Sequence, residues 1–156
     1  FDVSNAMSNP LKATKFGLPF RHVPTYLAGY YKYKAGDQFT EGGKPVNGKR
    51  DICDIYAIMY ETSESVPTLD GTNAFTSPNL ISTARINNAK ETNEWTYFKL
   101  PFSTLPGKFI DKEKLMDGKY NIAIVFTSSL EGDHFNGAIG STLLIDEAEL
   151  IYHSED

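Results

Sequence analysis

The sequence predicts an all-β fold, a two-sheet antiparallel β-sandwich with at most a short helical turn. Three observations carry this. Apolar residues recur at every second position in several runs, and the residue types favour strands, with 13% aromatic residues and many Ile, Val and Thr. Most of the 12 glycines and 8 prolines gather between those runs as turn signals, and helical periodicity is hard to find.

The first run is "YLAGYYKYKAGDQF", residues 26–39. Extended, it sends Leu27, Gly29, Tyr31 and Tyr33 to one face and Tyr26, Ala28, Tyr30, Lys32 and Lys34 to the other. The set that holds the lysines reads as the outer one. "DICDIYAIMYE" (51–61) is apolar on both faces, the mark of a central strand covered from two sides. "LISTARI" (80–86) reads as another strand.

"NEWTYFKLPF" (93–102) sends Thr96, Phe98, Leu100 and Phe102 inward and Trp95, Tyr97 and Lys99 to the opposite face. Pro101 then belongs near a strand end or on an edge, where its missing N–H is tolerated. In "STLPGKFIDKEKLMDG" (103–118), Asp111 can cap a helical turn from Lys112 to Met116. "GKYNIAIVFTSS" (118–129) carries Tyr120, Ile122, Ile124 and Phe126 on one side and reads as a well-covered strand.

"STLLIDEAELIYH" (141–153) alternates through Leu143 and Ile145, then resumes at Ala148, Leu150 and Tyr152, one residue out of phase. A slip of one residue turns core side chains to solvent unless a bulge absorbs it, so a β-bulge is predicted at Asp146 and Glu147. The stretches 62–79 and 129–140, rich in Gly, Ser, Asn and Pro, are long loops or short hairpins.

A chain of 156 residues suits one domain, here 1–156, and can bury a sizeable core. Its net charge of −5 and scattered lysines argue against nucleic acid as the partner, because phosphate binding needs a basic face. The single cysteine, Cys53, excludes an internal disulfide and a Cys-rich zinc site. There is no apolar targeting stretch or spanning segment, so no membrane contact by the domain itself is expected. The first residue is Phe, from which the expectation is a fragment or processed form of something longer.

The runs "FGLPFRHVPTYLAGYYKY", "DICDIYAIMYET", "WTYFKLPF" and "FNGAIGSTLLIDEAEL" occur in an order that resembles the putative carbohydrate-metabolism domain at the C-terminal end of surface lipoproteins from gut Bacteroidetes. The resemblance runs from about Phe16 to Tyr152. It implies a jelly roll similar to carbohydrate-binding modules, export to the bacterial cell surface through an upstream lipid anchor, and a role in glycan capture or processing. It also implies that further strand sequence precedes Phe1.

With a polysaccharide or oligosaccharide as the expected partner, the outward aromatics become candidate contacts. The apolar C–H face of a pyranose meets the electron-rich face of a ring, and neighbouring polar groups take the hydroxyls. Tyr26 and Tyr30 are one candidate pair, Trp95 and Tyr97 the other. The competing reading for each is structural, a good strand surface for the tyrosines and a packing anchor for the tryptophan. Asp133 and Asn136, with His134, lie in a loop that can face a ligand at the end of the sandwich, or simply link strands.

No cofactor is required by this reading. The resemblance to jelly-roll modules implies a structural calcium at Asp146, in the "ID" step of the last strand, although no calcium-loop pattern is present. Catalytic residues stay unassigned. A glycosidase needs two carboxylates roughly 5–9.5 Å apart, and nothing in the spacing of Asp54, Glu61, Glu94 and Glu147 selects a pair. His22, His134 and His153 are scattered, and no serine elbow is present. The expectation is a non-catalytic glycan-binding domain, with a glycoside hydrolase domain and a structural or adhesive protein-binding module as the alternatives.

Overall fold

In the computed structural model, residues 15–153 are described. In chain order the strands are β1 (Lys15–Phe16), β2 (Leu18–Pro19), β3 (Val23–Lys34), β4 (Phe39–Glu41), β5 (Lys44–Pro45), β6 (Asp54–Glu61) and β7 (Leu69–Asp70). They continue as β8 (Leu80–Arg85), β9 (Thr96–Pro101), β10 (Ser103–Thr104), β11 (Tyr120–Thr127), β12 (Gly137–Ala138) and β13 (Thr142–His153). The helix α1 (Lys112–Met116) precedes β11.

Two antiparallel sheets form the sandwich, one ordered β10-β8-β6-β11-β2 and the other β13-β3-β9. Two smaller ladders, β12-β4-β5 and β1-β7, come from the glycine-rich connections and the start of the described chain. Between the large sheets, Leu27, Tyr31 and Tyr33 of β3 and Phe98 and Leu100 of β9 pack against Ile55 and Ala57 of β6 and Ala84 of β8. Each large apolar side chain among them contributes about 1.5–3 kcal/mol of burial.

β6 is central and buried on both sides, as its doubly apolar pattern predicts. Its other face sets Tyr56, Ile58 and Tyr60 under the 62–79 connection, which supplies Leu69 and Ala74. The Tyr60 hydroxyl accepts from the Leu69 amide at 3.2 Å and from Asn121 Nδ2 at 3.1 Å, so the buried oxygen is satisfied. Leu115 of α1 completes a third cluster with Met59, Ile81 and Tyr120. The Asp111 carboxylate caps α1 by accepting the Lys114 amide at 3.0 Å, as the sequence predicts.

The bulge also falls where the phase slip puts it. Asp146 pairs with Tyr30 and Glu149 with Ala28, so Glu147 and Ala148 together oppose Gly29. Glu147 takes a left-handed φ of 50° to make the bend.

One expectation is corrected. β11 is covered only in its first half, and Ile124 and Phe126 remain 40% and 37% exposed. Both stand in register with Ala57 and Ile55, on the face turned toward the second sheet. That sheet has three strands against five and ends at β13, while β2 flanks β11 only at Asn121 and Ile122.

Candidate functional site

The outer face of the three-stranded sheet is built by the alternation of β3 and β9. Because Leu27, Tyr31, Tyr33, Phe98 and Leu100 are drawn into the core, the residues between them must point away from it. The sequence assigns these faces correctly. Tyr31 and Tyr33 are buried, whereas Tyr30, Tyr97 and Trp95 are 36%, 54% and 44% exposed. Tyr26 is half-buried on the same outer face.

Register turns these residues into one surface. Tyr30 stands between Tyr97 on β9 and Asp146 on β13, and the two tyrosine rings lie 5.2 Å apart with planes tilted by 54°. Lys32 pairs with Leu144, and its ammonium sits 4.9 Å from the centre of the Trp95 ring, just before β9 begins. Ala28 lies between Lys99 and Glu149, and Lys99 Nζ stands 4.3 Å from the centre of the Tyr26 ring. From the level of Lys32 to that of Tyr26 is six residues along β3, or about 20 Å. Beyond Tyr26 a groove of about 450 Å³ opens, lined by Pro24, Tyr26, Phe102, Ile151 and His153 among others.

The four aromatic candidates therefore share one face, but the loop candidates do not join it. Asp133 is bonded to His134 at 3.3 Å, and Asn136 Oδ1 accepts the Gly42 amide at 3.1 Å. They belong to the layer around β4 and β12, where Asn136 holds a turn. Asp146 is exposed on the aromatic face, and its Oδ1 accepts the amide of Glu147 at 2.9 Å. Among the described residues no group of three or more His, Cys, Asp or Glu gathers in a metal-binding arrangement.

The acids considered for catalysis are dispersed. Asp54 is buried, and both its oxygens are taken by Arg85, at 2.7 Å from Nη2 and 3.2 Å from Nε. The guanidinium lies 4.3 Å from the centre of the Phe75 ring on the far face of the five-stranded sheet. Glu61 pairs with Lys114 at 2.9 Å, and Glu94 and Glu147 are exposed at separate places.

Sequence reasoning missed Asp51, which is buried at the end of the sandwich. Its Oδ2 accepts from the Ser129 and Ser141 hydroxyls at 2.5 and 2.6 Å and from the Ala138 amide at 3.0 Å. It ties the 129–140 connection to the start of β6. The sequence carries no local signal for a carboxylate whose partners lie 78–90 residues away. It also missed the diagonal contact of Lys99 with Tyr26 across β9 and β3.

A solved structure described as a putative glycoside hydrolase from Bacteroides thetaiotaomicron VPI-5482 is 89% identical, with a TM-score of 0.97 over 99% of this chain. A second, described as a putative glycoside hydrolase from Bacteroides vulgatus ATCC 8482, is 47% identical with a TM-score of 0.93 over 98% of this chain. The chain spans 46% and 61% of the lengths of those two proteins. No functionally curated protein matches the sequence. The model of the putative carbohydrate metabolism domain family matches residues 1–151, so the sandwich and its aromatic face are those of a chain that belongs to this family.

Proposed function

We propose that this domain captures glycans without catalysis, holding them on the outer face of the three-stranded sheet. The observation that carries the reading is the placement of Trp95, Tyr97, Tyr30 and Tyr26 on one face opposite the core. Exposed rings arrayed along strands suit an extended sugar chain, since each ring meets an apolar pyranose face. The lysines and acids beside them supply donors and acceptors for hydroxyls. Together with membership in a carbohydrate-metabolism family, this favours a sugar over a protein partner.

A cell-surface setting belongs to the same proposal and rests on the resemblance to domains of surface lipoproteins. Protease accessibility of the domain in intact cells tests it.

A second reading, a glycoside hydrolase domain, is favoured by the descriptions of the two solved relatives. Against it for this chain, Asp54 is engaged by Arg85 and Glu61 by Lys114. Release of reducing sugar that disappears when one carboxylate is replaced by its amide establishes that reading instead.

The deciding experiment is a glycan array on the purified domain, with and without calcium, repeated on Trp95→Ala and Tyr30→Ala after their folding is checked by circular dichroism. Binding that is lost in folded variants is the expected result. Binding unaffected by either substitution overturns the assignment of this face. No binding to plant, host or microbial glycans turns the reading toward an adhesive module.

A further inference from the structure

Neutral sugars stack on open ring faces, yet two of the four rings on the sheet carry a cation over one face. Lys32 Nζ lies 4.9 Å from the Trp95 centroid and Lys99 Nζ 4.3 Å from the Tyr26 centroid. Neither ammonium makes an ion pair among the described residues. Between them, the Tyr30 and Tyr97 rings carry no cation among the described residues. A chain that stacks on the face a lysine covers meets an ammonium group there. An anionic chain gives each ammonium a counter-charge where it stands.

The charges also divide the face lengthwise. Lys32 and Lys99 stand on β3 and β9, four residues apart in register level, or about 13 Å. Asp146 and Glu149 stand on β13, one strand beyond Tyr30 and Ala28. Lys99 and Glu149 flank the same Ala28, with backbones about 10 Å apart. That distance is comparable to the screening length in physiological salt, so the two halves present distinct potentials to a ligand. The acidic half repels an anionic chain and confines it to the aromatic half.

From this arrangement we propose that the face selects anionic glycans, those bearing carboxylate or sulfate groups, with Lys32 and Lys99 as the specificity-determining residues. The inference rests on the reading of this face as a glycan platform. Its chemistry is shared by uronate-rich and sulfated chains, and the two sources are separated by the probes.

The test is calorimetric titration of the domain with oligogalacturonate beside its fully methyl-esterified form, and with a sulfated carrageenan oligosaccharide beside its desulfated form. Each pair shares one sugar backbone and differs at the charged group. At least one anionic form is expected to bind roughly tenfold more tightly than its neutral counterpart, the order expected of two exposed ion pairs. The preference falls as salt is raised to about 0.5 M, and it disappears in the double variant Lys32→Gln, Lys99→Gln, which leaves both rings in place. Trp95→Ala weakens both members of the pair, which distinguishes the platform from a diffuse attraction to polyanions. Equal or tighter binding of the neutral forms overturns the charge selection and leaves the platform standing. Binding of none of the four overturns the charge selection, and the glycan array decides the platform separately.

Discussion

Gly29 of β3 and Phe98 of β9 stand directly opposite each other, and a Cβ on Gly29 would lie 2.8 Å from Phe98 Cζ. The glycine serves space here, because the ring of Phe98 lies across it and the bulge residue Ala148 approaches the same point, its Cα 3.3 Å from such a Cβ. Gly29→Ala is therefore expected to destabilise the domain by about 1–3 kcal/mol through overpacking, even though alanine suits a strand better than glycine. Thermal unfolding measures this as a loss of roughly 2–12 °C. Combining it with Phe98→Leu, which removes the ring, should cost less than the sum of the two single changes. A neutral Gly29→Ala contradicts the account.

Asp51 makes a second strong stability site, far from the aromatic face. Its replacement by Ala strands the buried Ala138 amide and frees two serine hydroxyls. Charged acceptors of this kind are costly to remove, and about 3–5 kcal/mol is expected from urea unfolding. Asp51→Asn keeps the shape and one acceptor oxygen, so its cost should be clearly smaller. Equal costs for the two variants would mean that packing, rather than hydrogen bonding, holds the 129–140 connection.

The two sides of β9 should separate stability from binding. Phe98 is buried in the sandwich, and Phe98→Ala is expected to cost about 3–5 kcal/mol. Trp95 and Tyr97 are about half exposed and lie outside the core clusters, so Trp95→Ala and Tyr97→Ala should each change stability by less than Phe98→Ala, by about 1 kcal/mol, while weakening capture of glycan. A large stability loss at Trp95 would recast it as a packing anchor.

What the sequence makes legible is whatever repeats locally. Period-two alternation assigns the inward and outward sets of β3 and β9, and the doubly apolar run of β6 marks its central place. Even the bulge is readable, because a phase slip between Ile145 and Leu150 has few physical solutions. Cover over β11 is not readable, since it depends on how many strands the opposing sheet has. Partners such as Arg85 for Asp54 or Lys99 for Tyr26 need the register between strands, which the alternation along one strand does not contain. The aromatic row is thus visible residue by residue, but its continuity and its two cations emerge only when strands are paired.

The bulge carries its own prediction. Glu147 holds a φ of 50°, a conformation that disfavours residues with a side chain by roughly 1–2 kcal/mol. Glu147→Gly relieves that strain while adding freedom to the unfolded chain, so it should be neutral or stabilising by up to about 1 kcal/mol. Glu147→Val, β-branched at the same position, should cost about 1–2 kcal/mol or more. If valine is tolerated as well as glycine, the left-handed bend is not what sets the register of β13.

Alkali should unfold the domain earlier than its acidic composition alone suggests. Burial pushes the Cys53 thiol from its ordinary 9.0 up to about 11, and burial likewise pushes the Tyr33 and Tyr56 phenols from 10.0 to about 12. In each case the folded state holds a proton that the unfolded chain releases sooner. The sign follows directly, because a pKa raised on folding gives stability that is complete below the unfolded value and lost as pH climbs through the folded one. Urea midpoints should thus be unaffected by these groups below about pH 9 and fall progressively between about pH 9 and 12. Cys53 reports the same physics chemically: with thiolate disfavoured and the sulfur buried, a thiol reagent at mildly alkaline pH should modify it only as fast as the chain opens. Rapid modification of the folded domain, or a urea midpoint flat to pH 11, would show that solvent reaches the end of the sandwich where Cys53 and Tyr33 lie.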